Sequence, residues 1–93
     1  MPVGYIDFYT FGGIGNILGI YVDEKRRLTN IGSELLKHAL KILKNLGCHR
    51  AKAIVYSYNK LSLEFFKANL FTEAAKFPDD EFHRDVVIMA TPL

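Results

Sequence analysis

One long amphipathic segment constrains this chain more than any other feature. From Ile31 onward the apolar residues Ile31, Leu35, Ala39, Ile42, Leu43 and Leu46 recur mostly three or four positions apart, while Lys37, Lys41 and Lys44 fall elsewhere. That period lines them along one stripe of an α-helix, and such a stripe needs an apolar surface to lie on. Gly47 follows as a left-handed residue that ends the helix. The flanking segments supply the surface. "VGYIDFYTF" (3–11) and "NILGIYV" (16–22) are rich in β-branched and aromatic residues, and Gly12, Gly13 and Gly15 between them give an antiparallel hairpin its turn. "AKAIVYSY" (51–58) is a further strand, read as interior because Ala51, Ala53, Ile54 and Val55 leave only Lys52 as an early polar residue.

Beyond it, Asn59 is placed to cap a short helix running to about Asn69, with Leu61, Phe65, Phe66 and Ala68 as its buried side. "LFTEAAKF" holds a strand, Pro78-Asp79-Asp80 a turn, and "RDVVIMAT" (84–91) a closing strand. The expected order is β-β-α-β-α-β-β, an α/β (α+β) unit with a mixed sheet and two helices. No repeat, low-complexity tract or linker divides the 93 residues, so residues 1–93 are read as a single domain.

With 49% hydrophobic residues the chain has enough apolar mass for one modest core. A formal net charge of +2 neither requires nor forbids an anionic partner. No apolar run approaches the ~20 residues that span a bilayer, and the N-terminus lacks a signal-peptide profile. Cys48 is the one cysteine, so no disulfide forms within the chain and a reduced, cytoplasmic setting is expected. Neither it nor His38, His49 and His83 has catalytic or metal-ligand spacing, and all four are read as structural or solvent-facing. The glycines of "FGGIGNILG" lie between strands, whereas a dinucleotide fingerprint opens a helix. "VGYIDFYTF" is faintly like the aromatic strand of an RNA-binding module, but that fold has a different element order, so no nucleic acid is expected. The acidic run Pro78 to Glu81 is read as a solvated loop.

"RRLTNIGSELLKHAL" (26–40) opens the long helix. A helix start presents main-chain N–H groups without intrahelical acceptors and about half a positive charge, so anions favour it. Arg26 and Arg27 add fixed charge, Gly32 permits close approach, and Asn30 is one of the few non-glycine residues that visit positive φ. Two readings stand: a diphosphate nest, or Thr29 or Asn30 acting only as the N-cap of a surface helix beside solvated arginines. On this segment alone the second is preferred.

Context shifts the balance. Ile20-Tyr21-Val22 ends a strand, Arg27-x-x-Asn30-x-Gly32 opens a helix, the next strand runs into Asn59, and a helix carrying Phe66 follows. Taken together these elements resemble the GNAT N-acetyltransferase superfamily, in its ribosomal-protein and N-terminal acetyltransferase branch. "RDVVIMATPL" is similar to that branch's last strand, and the resemblance runs from about Val3 to Leu93. It implies acetyl-CoA in a cleft where two parallel strands splay apart. The backbone of Ile20, Tyr21 and Val22 would meet the thioester end, and Arg26, Arg27, Leu28, Thr29, Asn30, Ile31, Gly32 and Ser33 the diphosphate. Asn59 would lie beside the pantetheine, with Phe66 on the helix that follows. A backbone N–H near Val22 would stabilise the oxyanion.

The resemblance implies transfer of acetyl to a primary amine, a protein N-terminus or a small amine. The branch's glutamate base and tyrosine acid, however, are replaced here by Ile54 and Phe66, neither of which moves a proton. Tyr21, Tyr56 and Tyr58 are alternatives of low weight, since strand tyrosines usually pack. No catalytic residue is therefore assigned, and a non-catalytic CoA-binding or oligomerisation module is the rival reading. Leu70 stands where the family has a glycine before the counterpart of Phe71, which puts that turn in question. Family members also carry a strand, two helices and another strand before the equivalent of Val3. A sheet without that layer leaves an edge or face exposed, and pairing in a homodimer is the expected remedy.

Overall fold

A computed structural model describes residues 4–22 and 30–93. The described residues form β1 (Gly4–Phe11), β2 (Ile14–Val22), α1 (Ile31–Asn45), β3 (Arg50–Tyr56), α2 (Lys60–Ala68), β4 (Thr72–Phe77) and β5 (Val86–Pro92), with a 3-10 turn at Glu81–His83 before the last strand. This is the expected element order. The strands make one five-stranded sheet in the order β1-β2-β3-β5-β4. Only β2 and β3 run parallel; the other neighbours are antiparallel.

The hairpin closes as its glycines require. Phe11 pairs with Ile14 across Gly12 and Gly13, which both have positive φ (61° and 78°). Two such residues in a row match the twist of the flanking strands. Gly15 lies inside β2 rather than in the turn; a Cβ there would come within 2.7 Å of Leu43 Cδ2, so its hydrogen lets α1 settle onto the strand.

Both helices cover the same face of the sheet. Leu36 and Leu43 from α1 and Phe66 from α2 share one core cluster with Ile17, Ala51, Ala53, Val55, Val87 and Met89. The stripe of α1 is rotated from the one read in the sequence: Leu36, Ala39 and Leu43 are buried, whereas Ile42 and Leu46 are exposed. Two apolar stripes overlap on this helix, and the sheet selects the one carrying Leu36. On α2, Phe66 is buried and Leu63 and Phe65 pack against the core, but Leu61 and Ala68 face out. A nine-residue helix at the sheet's flank has room to bury only one narrow side.

The other face of the sheet carries no helix among the described residues. Strand alternation sends Tyr5, Tyr9 and Phe11 of β1, Leu18 and Tyr21 of β2, Ile54 of β3 and Phe77 of β4 to that side, and all are exposed. The reading of β3 as an interior strand holds in the sheet order. It is central in the sheet, but its pattern alternates, with Ala51, Ala53 and Val55 covered and Ile54 54% exposed.

Candidate functional site

The site begins where the parallel ladder stops. β2 and β3 pair only from Ile14↔Arg50 to Ile17↔Ala53. At that point β1 pairs Phe8 with Ile17 and Asp7 with Gly19, so Leu18 is an extra residue on β2. Such a bulge bends and twists its strand. β2 therefore turns away from β3 just past Ile17, and the two strands open into a cleft of about 700 Å³. One wall is Leu18 to Val22, the other Ala53 to Tyr56, and Gly32 of α1 with Asn59, Leu61, Ser62, Phe65 and Phe66 of the α2 segment complete it. The volume lies in the range of small-molecule sites, roughly 300–1,000 Å³.

Among the described residues the lining contains no charged side chain; its polar side chains are Tyr21, Tyr56, Asn59 and Ser62. A neutral cleft edged by strand backbone suits a ligand recognised by main-chain hydrogen bonds along an extended, uncharged arm. No cluster of His, Cys, Asp and Glu able to hold a metal ion occurs among the described residues. None of their helices is long and apolar enough to cross a membrane.

Of the residues singled out from the sequence, Ile20, Tyr21, Val22, Gly32, Asn59 and Phe66 all line this one cleft. Asn30 stands at the N-cap of α1 in the left-handed region (φ 59°), with no side-chain capping bond, and its carbonyl accepts from Glu34 N at 3.1 Å. It is thus a turn residue rather than a side-chain cap. Ile31, Gly32 and Ser33 form the first turn, where N–H groups lack intrahelical acceptors. The space beside Gly32 is already occupied: a Cβ would lie 3.2 Å from Phe65 Cε1 and 3.5 Å from Val22 Cγ2. Glycine here docks the start of α1 against α2 and the end of β2. Ser33 Oγ accepts from Asn69 Nδ2 at 3.2 Å, tying the same turn to the far end of α2. Arg26, Arg27, Leu28 and Thr29 lie outside the described residues.

Asn59 does cap α2, its Oδ1 accepting from Ser62 N at 3.2 Å. Phe66 is packed edge-on to Phe65 and tilted against Phe71 (centroids 5.4 and 5.0 Å). Sequence reasoning missed Leu18, Gly19, Ala53, Leu61, Ser62 and Phe65 as cleft residues. The only local sign was the i, i+3 and i+4 spacing of Leu61, Ser62, Phe65 and Phe66, which puts them on one side of α2.

A second cavity, of about 610 Å³, lies on the open face among all five strands, with Tyr9, Lys52 and Glu81 among its lining. Ile17, Leu18, Ile54 and Tyr56 line both cavities.

Comparison with known proteins places this geometry. The model of the acetyltransferase (GNAT) family matches residues 2–70. YwnH of Bacillus subtilis (strain 168), named provisionally as a phosphinothricin acetyltransferase, is 41% identical over 61 residues, covering 66% of this chain and 37% of its own. Ard1 from Thermoplasma volcanium superposes with a TM-score of 0.88 at 22% identity, over 98% of this chain and 63% of that one. The PaiA N-acetyltransferase of Thermoplasma acidophilum, crystallised with coenzyme A, superposes with a TM-score of 0.82 at 23% identity, over 98% and 54%. The chain thus spans little more than a third of YwnH's length and under two thirds of these solved chains.

Proposed function

Because the chain belongs to the acetyltransferase (GNAT) family, we propose that it binds acetyl-CoA in the cleft between β2 and β3 and transfers the acetyl group to a primary amine, a protein N-terminus or a small amine. The observation that carries this reading is the splay itself: a bulge at Leu18 ends the β2–β3 ladder beside the start of α1. Acetyl-CoA supplies the activated acyl group. The backbone of Ile20, Tyr21 and Val22 edges the thioester end, where a main-chain N–H would stabilise the oxyanion. Asn30 to Ser33, with Arg26 to Thr29 before them, receive the diphosphate. Asn59 and Phe66 border the arm between. The described lining, being neutral, fits an uncharged pantetheine, and the left-handed Asn30 fits a tight turn at the start of α1.

Ile54 and Phe66 stand where the branch keeps its base and acid, which favours the rival reading of a CoA-binding module without turnover. Titration with acetyl-CoA by calorimetry, followed by thiol release over a panel of peptides with free N-termini and small primary amines, separates the two. The transferase reading expects saturable binding and thiol release above background with at least one amine. Saturable binding without release supports the module. The variant Arg27→Glu is expected to weaken CoA binding by about tenfold or more through loss of a charge-assisted phosphate contact; unchanged affinity removes the diphosphate site.

The open sheet face supports a homodimer, joined along the β1 edge and the exposed Tyr5, Phe11 and Tyr21 beside it. That contact leaves the β3–β5–β4 side open to the amine. The unpaired Cys48 supports a cytoplasmic setting.

A further inference from the structure

Acyl transfer from a thioester to an amine moves one proton from nitrogen to sulfur, and the residues aligned with the branch's acid and base, Phe66 and Ile54, can carry none. Three tyrosines stand near enough to ask whether one replaces them, and their surroundings differ. Tyr21 lines the cleft, but its ring stacks on Tyr5 at 5.4 Å toward the open face. Tyr58 lines neither cavity, and its hydroxyl accepts from Arg84 Nη1 at 3.0 Å. Tyr56 ends β3 and is half-buried. It is one of the four residues shared by the cleft and the cavity on the open face; the other three, Ile17, Leu18 and Ile54, are aliphatic.

Two neighbours hold its ring. Tyr58 stacks on it nearly parallel (5.6 Å, 4°), and the Arg84 guanidinium lies 5.6 Å from both ring centroids. Arg84 engages the Tyr58 hydroxyl, while that of Tyr56 has no hydrogen-bond partner among the described residues. Tyr56 therefore brings to the border of the two cavities a phenol whose hydroxyl has no partner among the described residues.

We propose that Tyr56 is the proton-transfer residue of this chain, a role that rests on the transferase reading above. The amine nitrogen forms a bond to the acetyl carbon as the carbon–sulfur bond breaks with its electron pair on sulfur. The Tyr56 hydroxyl gives its proton to that sulfur and takes back the proton that the acylated nitrogen sheds, so the tyrosine ends as it began. One group bordering both cavities can serve both ends of the transfer.

The test is Tyr56→Phe, which keeps the ring and its stack, assayed with acetyl-CoA and the best amine of the panel. The expected result is a kcat lowered by about 10², within the usual range for losing an acid–base group, with the calorimetric Kd for CoA unchanged. The S-linked conjugate of CoA and that amine, whose junction spans both cavities, should bind the variant about tenfold more weakly through one lost hydrogen bond. Ser57→Ala, which removes a neighbouring hydroxyl outside both cavities, should match wild type. A Tyr56→Phe kcat within about threefold of wild type, or a fall matched by lost CoA affinity, overturns the proposal and leaves the transferase reading standing. A wild-type chain that binds CoA but releases no thiol overturns both.

Discussion

At the scale of single residues, the two helix ends make a controlled pair. α1 ends with Gly47 at φ 91°, Gly47 N donating to Lys44 O and Cys48 N to Leu43 O. α2 ends in the same arrangement, Leu70 N donating to Lys67 O and Phe71 N to Phe66 O, with Leu70 at φ 71°. Each is a Schellman closure in which the residue after the cap must be left-handed. The missing glycine at position 70 thus leaves the turn intact, with a leucine held in a conformation that disfavours it. The side chain of Leu70 gains little in return, being 83% exposed. Buried Phe71, tilted against Phe66 at 5.0 Å, anchors the turn from beyond it. Leu70→Gly is expected to stabilise the protein by about 1 kcal/mol, the cost of a non-glycine left-handed residue less the entropy glycine adds to the unfolded chain. An upward shift of the thermal midpoint checks it; an unchanged or lower midpoint would mean that Leu70 makes contacts worth as much as its strain.

At the scale of elements, α1 shows why periodicity finds a helix more surely than it finds the buried side. Ile31, Leu35, Ala39, Ile42 and Leu46 make one credible stripe, and Leu36, Ala39, Leu40 and Leu43 make another. The chain buries the second, with Leu36 and Leu43 fully enclosed. The difference lies in the partner surface: Gly15, Ala51 and Ala53 form a shallow groove of small residues on β2 and β3 that receives Leu43, and nothing in the helix's own sequence records that groove. Leu36→Ala should therefore cost about 2–5 kcal/mol, since the cavity left under a rigid sheet cannot collapse well. Leu46→Ala, at an exposed position, should cost about 0.5 kcal/mol or less. Urea midpoints of the two variants measure the contrast, and equal losses would contradict the assigned helix phase.

At the scale of the whole molecule, the asymmetry of the sheet matters most. One face is buried under two helices; the other presents tyrosines, phenylalanines and aliphatics over all but one of its strands. The proposed dimer would cover part of that apolar face. For the proposed dimer, light scattering at micromolar concentration should give twice the chain mass, and Phe11→Asp, placing a charge on a side chain that is 80% exposed, should return the monomer without unfolding it. A monomeric wild-type mass would remove the dimer while leaving the cleft unaffected.

The sequence by itself determined the elements and their order, because period, turn glycines and caps act over a few neighbouring residues. It also carried six residues that meet in the cleft, Ile20, Tyr21, Val22, Gly32, Asn59 and Phe66, through their spacing relative to strand ends and helix starts. Only the tertiary structure decided that Leu18 bulges and parts β2 from β3, that α1 turns Leu36 inward, and that Tyr56 borders two cavities at once. Those three outcomes depend on which strands become neighbours and where their pairing stops. Most of these contacts join residues far apart in the chain, and no local pattern of side chains encodes them.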